Sequence, residues 1–519
     1  RGGGRRGGHH QGRKRQREEP DPDGSKALLS RVFHLADREK GQEGPPVDVE
    51  VEELATMMLR DPSKTEKIIE SIVDCAVEIS TKTPVYALLA GLLNSEDQGF
   101  GGSIVDAAYH DLLIALQKGN KQRLRMQLRF CAALVVTNTI APSSFLSLLT
   151  DIVKVAVAAA RGSTDSRIWQ PWADHLVYCT LACLPWAGAE LAEGAAEAMD
   201  AFLEAVTEYM DARPVTHTSA LMPFYGGAPD HSDRCLRSDS GGASFLGHLW
   251  SAIQELKANN WTLTSVVKVH EACESRLAQG TPHTLPSVQL PEAPPCVEPE
   301  MDATTAASTV AMQYRPRGGI RLLPDGVDGS ADGRLIIDRI VVEEFILDTL
   351  HWFDGDRRET VLRLGNLPVP FKYEAVLIET LFSQLLCLPM PPRKPVGYLT
   401  IIVDCMKTVE TFSKPLSGCV RELFARMDAL DPELQTRLAE WLAYHLSCFE
   451  FQWPWPRWEH VLEKPPTHPQ RRFCAAVLSR LLRLSYHDRV VQSVPPSFAP
   501  LLPPNPVPQP LDAPLMDQR

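Results

Sequence analysis

Apolar residues recur three and four positions apart along most of the chain. This spacing predicts helices over Glu52–Leu59, Thr65–Ile79, Val85–Leu93 and Ile104–Leu116. Leu124, Leu128, Cys131 and Val135 line one face of the next helix. Pro142-Ser143 opens another, with proline in the first turn where its missing N–H leaves no bond unmade. Phe145, Leu148, Leu149, Ile152 and Val153 form its apolar face. Arg167–Leu184 reads as a helix stopped by Pro185, and Ala187–Met210 as its successor. Beyond a Gly/Ser/Pro/His-rich loop at 212–243, periodicity resumes at Phe245–Leu256 and Leu263–Leu277. A second block follows: Val341–Trp352, Tyr373–Leu386, Gly397–Val409, Leu416–Met427, Pro432–Leu446 and Arg472–Leu484. Alternation of the strand type is almost absent.

Successive helices of about 12–20 residues in hairpin order predict an all-α fold, an α-solenoid of HEAT-like hairpins. The expected division is a disordered basic tail at 1–25, a first helical domain at 26–279, a Pro/Gly-rich linker at 280–335, a second domain at 336–494 and a Pro-rich end at 495–519.

One stretch breaks the helical pattern. Trp441, Tyr444, Phe449, Phe451, Trp453, Trp455 and Trp458 crowd into eighteen residues of a chain that is only 7% aromatic. Such side chains bury large areas, so the stretch is either a packing hub or a surface meant to be covered. Pro454 and Pro456 rule out helix there, which makes it an elbow. Arg457 and the later Arg471-Arg472 are its only nearby cations, which argues against base stacking on RNA. The hub is expected to bury Trp441, Phe449 and Trp453, leaving Tyr444, Gln452 and Arg457 on its rim as candidate partner contacts.

Charge sharpens the picture. The net charge is −12, yet residues 1–17 carry seven Arg/Lys and no acid, which leaves −19 on the rest. An acidic body is a poor main surface for phosphate backbones. The clusters Arg5-Arg6 and Arg13-Lys14-Arg15 with Arg17 are read as a nuclear import signal for an import receptor. No apolar run of about 20 residues stands out, so no membrane span is expected. Arg1 in place of Met, with no apolar segment after it, reads as a trimmed start and argues against secretion. The twelve cysteines show no paired short spacing and are expected as reduced, buried thiols.

Candidate chemistry is thin. His175, Cys179 and Cys183 sit four apart, a conceivable metal half-site, but among apolar neighbours and without a fourth ligand. Gly99-Phe100-Gly101-Gly102 lacks the Lys-Ser/Thr of a phosphate-binding loop and reads as a tight helix start. Ser485, His487 and Asp488 have no nucleophile-elbow context. No enzyme signature and no cofactor are implied.

Four stretches are more specific: TPVYALLAGLLNSEDQGFGG (83–102), LACLPWAGAEL (181–191), WLAYHLSCFEFQWPWPRW (441–458) and RLSYHDRVVQSVPPSF (483–498). In this order, over nearly the whole chain, they resemble the large-subunit family of nuclear cap-binding complexes. The resemblance implies consecutive HEAT-like domains related to the middle domain of the initiation-factor-four-G scaffold. It implies a non-catalytic nuclear scaffold that pairs with a small RNA-recognition-motif subunit. That subunit holds the methylguanosine cap, so the large one meets capped RNA indirectly. Recruitment of splicing, export and decay factors, and shuttling to the cytoplasm, belong to the same expectation. A third helical domain is expected in that family beyond the point where this chain stops. The alternative is another helical-repeat adaptor for translation initiation or RNA processing.

Overall fold

The computed structural model describes residues 25–37, 44–60, 65–162, 170–213, 224, 245–289, 320–323 and 335–505. The helices of the first block are α1 (Ser25–His34), α2 (Val47–Leu59), α3 (Thr65–Glu78), α4 (Thr83–Glu96), α5 (Gln98–Lys118), α6 (Lys121–Val136), α7 (Pro142–Ala160), α8 (Gln170–Gly194), α9 (Ala196–Ala212), α10 (Phe245–Ala258) and the single turn α11 (Glu274–Leu277). The second block has α12 (Ile336–Trp352), α13 (Arg357–Leu364), α14 (Glu374–Leu385), α15 (Pro395–Thr408), α16 (Ser413–Ala425), α17 (Pro432–Cys448), α18 (Pro469–Leu484) and α19 (His487–Ser493). Among the described residues there is no strand, only isolated bridges between Ile140 and His283 and between Phe224 and Leu430.

Alternate helices stack. One layer runs α2, α4, α6, α8, α10, α12, α14, α16, each touching the next, and α13, α15 and α17 stack as a second layer. This is the all-α solenoid that the periodicity predicts. The even layer passes from the first block into the second without a break, because α10 packs on both α8 and α12.

Two helix expectations fail. Pro185 does not end a helix; α8 continues through it to Gly194. Proline in a helix interior costs about 3 kcal/mol, but α8 buries sixteen residues, Trp172 and Trp186 among them, and that packing outweighs the local cost. Leu263–Leu277 is no continuous helix. Asn260 and Trp261 take positive φ, 52° and 58°, and turn the chain away from α10. The amides of Thr264 and Ser265 then donate to the Asp338 carboxylate at 2.9 and 2.7 Å in place of helical carbonyls. Only a 3₁₀ turn at Val269–Cys273 and α11 follow. β-branched Thr262, Thr264, Val266, Val267 and Val269 weaken helix here in any case.

The Pro/Gly-rich stretch 280–335 is strapped down where it is described. His283 exchanges backbone hydrogen bonds with Thr139 and Ala141, and its ring meets Asn94 Oδ1 at 2.9 Å. At the other end Ile320 N donates to Ser383 Oγ, and Leu322 N and Leu323 N both donate to Glu379.

One membrane expectation needs correction. By length and composition alone, α7 is long and apolar enough to cross a bilayer. Phe145, Leu149, Ile152 and Val153 are nevertheless fully buried, and the helix packs on α8 and α9 as a core helix does.

Candidate partner-binding site

The aromatic elbow is built by the end of α17. That helix stops before either proline, because Glu450 and Phe451 adopt left-handed φ of 55° and 61°. Phe451 N reaches back to Leu446 O at 2.8 Å and closes the end of the helix. Trp455–Glu463 then forms a 3₁₀ helix that starts at the two Trp-Pro steps. Trp458 stacks on Phe424 of α16, centroids 3.9 Å apart and planes within 7°. Trp455 and Trp453 pack on Trp458 at 6.1 and 5.0 Å, and Trp455 also meets Phe498 at 5.2 Å. Trp441 lies edge-on to Phe382 of α14 at 5.0 Å. The stretch is therefore a packing hub. Its buried members are Trp441, Phe451, Trp455 and Trp458, while Phe449 and Trp453, expected in the core, are only half-buried.

The rim residues separate. Tyr444 is half-buried on α17, one turn from Cys448, with Arg357 and Asp404 nearby. Gln452 and Arg457 are exposed on the chain beyond that helix, and none of the three hydrogen-bonds another. Lys407 over the Phe449 ring (5.8 Å) and Arg489 over the Phe451 ring (5.3 Å) tie the elbow's edges to α15 and α19. The import-signal residues Arg5, Arg6, Arg13, Lys14, Arg15 and Arg17 lie outside the described residues.

Among the described residues, the most highly charged buried feature is a four-residue ion cluster between α6 and α12. Arg125 and Arg129 of α6 face Glu344 and Asp348 of α12, and all four side chains are at most 5% exposed. Each guanidinium touches both carboxylates: Arg125 lies 3.1 Å from Glu344 and against Asp348, while Arg129 lies 3.1 Å from Asp348 and against Glu344. Tyr178 of α8 donates to Glu344 at 2.7 Å, and Gln122 donates to Asp348. The Arg129 guanidinium also sits 4.0 Å above the Trp186 ring. Burial alone would raise the Asp348 pKa, but Arg125 and Arg129 hold it below the usual carboxylate range. The cluster is neutral as a whole, pairs every charge while leaving Arg129 Nε without a hydrogen-bond partner, and joins the first helical block to the second. Each half is visible in the sequence as a like-charged pair four apart, Arg125 and Arg129 on α6 and Glu344 and Asp348 on α12.

The weaker chemical candidates resolve as core. His175 approaches Cys179 Sγ at 3.3 Å, but burial holds it neutral, with its pKa down to about 3, and pushes the thiols of Cys179 and Cys183 well above their ordinary range. Cys183 donates to Thr180 O instead. Among the described residues no cluster of three or more His, Cys, Asp or Glu has metal-site geometry. Gly99–Gly102 lies in the first turns of α5, already capped by the Asp97 carboxylate, which accepts from Gly99 N at 2.9 Å. An anion placed there would meet that carboxylate rather than free N–H groups.

Comparison with known proteins agrees with this architecture. Residues 47–236 match the MIF4G domain model and residues 337–496 the MIF4G-like model. The chain is 35% identical over 436 residues to nuclear cap-binding protein subunit 1 of Oryza sativa subsp. japonica, covering 83% of this chain and 49% of that protein. It is 35% identical over 447 residues to nuclear cap-binding protein subunit 1 of Arabidopsis thaliana, covering 85% and 51%. The chain thus spans about half the length of the curated relatives it matches. On these matches the chain carries two MIF4G-type domains and is similar through both to proteins named nuclear cap-binding protein subunit 1.

Proposed function

We propose that the chain is a non-catalytic scaffold subunit of a nuclear cap-binding complex. The observation that carries this is the collinear match to proteins named as cap-binding subunits, through both helical domains. In this reading it pairs with a small subunit of RNA-recognition-motif fold and meets the methylguanosine cap through it. It recruits splicing, export and decay factors, enters the nucleus through the tail at Arg5–Arg17, and shuttles to the cytoplasm. Tyr444, Gln452 and Arg457 are the proposed contacts at the end of the second domain.

The physical means is preorganisation. A cap site built of loops loses affinity to the cost of ordering them. A partner that holds the loops raises the population of the competent state, and affinity rises in the same ratio. The scaffold must be stiff for this. The buried Arg125–Arg129–Glu344–Asp348 cluster and the continuous even layer supply that stiffness between the two domains.

The test is co-expression of the chain with a cognate small subunit, alongside a fusion of this chain to the remaining half of the rice relative. A stable complex with either supports the reading. A small subunit that co-purifies with neither, while it does so with the intact rice protein, contradicts it.

A further inference from the structure

Ile320, Arg321, Leu322 and Leu323 form a four-residue strap that belongs to no helix and lies against α14 and α16. Side chains hold its amides. Ile320 N donates to Ser383 Oγ at 2.7 Å, and the successive amides of Leu322 and Leu323 donate to one oxygen of Glu379 at 2.6 and 2.7 Å. The other Glu379 oxygen accepts from Arg339 of α12 at 2.8 Å, which fixes the carboxylate in place. Glu379 and Ser383 stand one turn apart on α14 and are 2% and 8% exposed. Ile320 and Leu322 are buried, with Arg321 half-buried between them. Leu323 fills space that Gly418 of α16 leaves open: a Cβ there would come within 2.5 Å of it.

Such contacts are the chemistry of a peptide site. Acceptors aimed at backbone amides hold a non-proline segment, and pockets at alternate positions select its side chains. Here the acceptors are Ser383 and Glu379, and the pockets take Ile320 and Leu322. A carboxylate this deeply buried is costly, and apolar contact alone could hold a strap that served only packing. What Glu379 adds is selection: it requires two consecutive free N–H groups and disfavours an acidic segment. The strap is also separable from the helices. Thirty residues lie between Gln289 and Ile320, and eleven between Leu323 and Leu335. Eleven residues reach up to about 36 Å, so release of the strap requires no movement of α12.

We propose that this groove is a receptor for a short segment of the pattern apolar–x–apolar–apolar, that residues 320–323 are its tethered occupant, and that a partner protein carrying such a segment takes their place. The proposal is independent of the cap-binding reading. The incoming segment makes the same three amide bonds, so it has no proline at the positions of Ile320, Leu322 and Leu323 and no acid within it. It competes with a tethered rival whose effective concentration is of the order of millimolar, so only a tighter or locally concentrated segment displaces the strap.

The test measures, by fluorescence anisotropy, the binding of a labelled synthetic peptide of residues 317–326 to the whole chain and to the double variant Ile320→Ser/Leu322→Ser, whose strap has lost its anchors. The expected result is binding to the double variant about tenfold or more tighter than to the unaltered chain. A peptide N-methylated at the Leu322 and Leu323 amides, or with serine at both anchors, is expected to bind about tenfold or more weakly than the parent. A peptide with valine and methionine at the anchors keeps the pattern and is expected to stay within about tenfold. The proposal is overturned if the double variant melts cooperatively yet binds no peptide, if both chains bind alike, if N-methylation has no effect, or if the valine–methionine peptide is lost. Loss of the second block's cooperative melt in the double variant would make the strap a fixed part of the core and also overturn it. Hydrogen exchange on the unaltered chain checks the same point without substitution. The amides of Leu322 and Leu323 are expected to exchange about tenfold or more faster than those in the middle of α14, and equal protection would contradict the proposal.

Discussion

At the scale of single residues, the four buried charges are the costliest groups in the molecule to disturb. Removing one partner leaves a charge without compensation in the interior, which costs about 3–5 kcal/mol. Arg129→Met is therefore expected to lower unfolding free energy by that amount, measured by urea titration. Replacing all four with apolar residues of similar volume is expected to cost far less than any single change. Two histidines set a pH limit. Burial holds His445 down to about 4, and burial with the Lys121 charge holds His175 down to about 3. Both are neutral when folded and take a proton near pH 6.5 when unfolded. Their contribution is complete above pH 6.5 and is lost as pH falls toward 4, on the order of 2 kcal/mol each by pH 5. Melts from pH 7.5 to 5 should show stability falling with pH, and His445→Gln should flatten that slope. Gly188 tests the packing of α8: a Cβ there would run into the Trp261 ring. Gly188→Ala is expected to cost about 1–3 kcal/mol, read as a lower denaturation midpoint.

At the scale of elements, the aromatic elbow joins α16, α17 and α18. Trp458 is the pivot, stacked on Phe424 and edge-on to Phe473. Trp458→Ala should cost about 3–5 kcal/mol and loosen α18 first. Hydrogen exchange checks this, with protection lost over 455–484 before it is lost in α4–α6. Helix positions were largely legible, because the burial of one face enforces periodicity on α5 and α7. What escaped was context. Pro185 is a helix breaker by local chemistry, and only the packing of Trp172 and Trp186 around α8 overrules it. The run after Trp261 has apolar spacing, but its amides are claimed by Asp338, a residue far along the chain. Prolines at 454 and 456 drew attention as stops, while the actual stop was the left-handed pair Glu450-Phe451, neither of them a glycine.

At the scale of the whole molecule, two MIF4G-type domains behave as one solenoid. The interdomain lock could not be read from composition, because each half looks like an ordinary charged pair until the fold brings α6 against α12. Of the three rim residues of the hub, the fold places Gln452 and Arg457 on the exposed surface and Tyr444 half under it. The central claim is that this rigid solenoid orders a small cap-binding partner. It is tested most directly by the affinity of that small subunit for a fluorescent methylguanosine cap analogue, measured alone, with this chain, and with the chain fused to the remaining half of the rice relative. The account predicts tighter binding with the scaffold present and a smaller gain with the Arg129→Met variant. Equal affinity in all three measurements would contradict it.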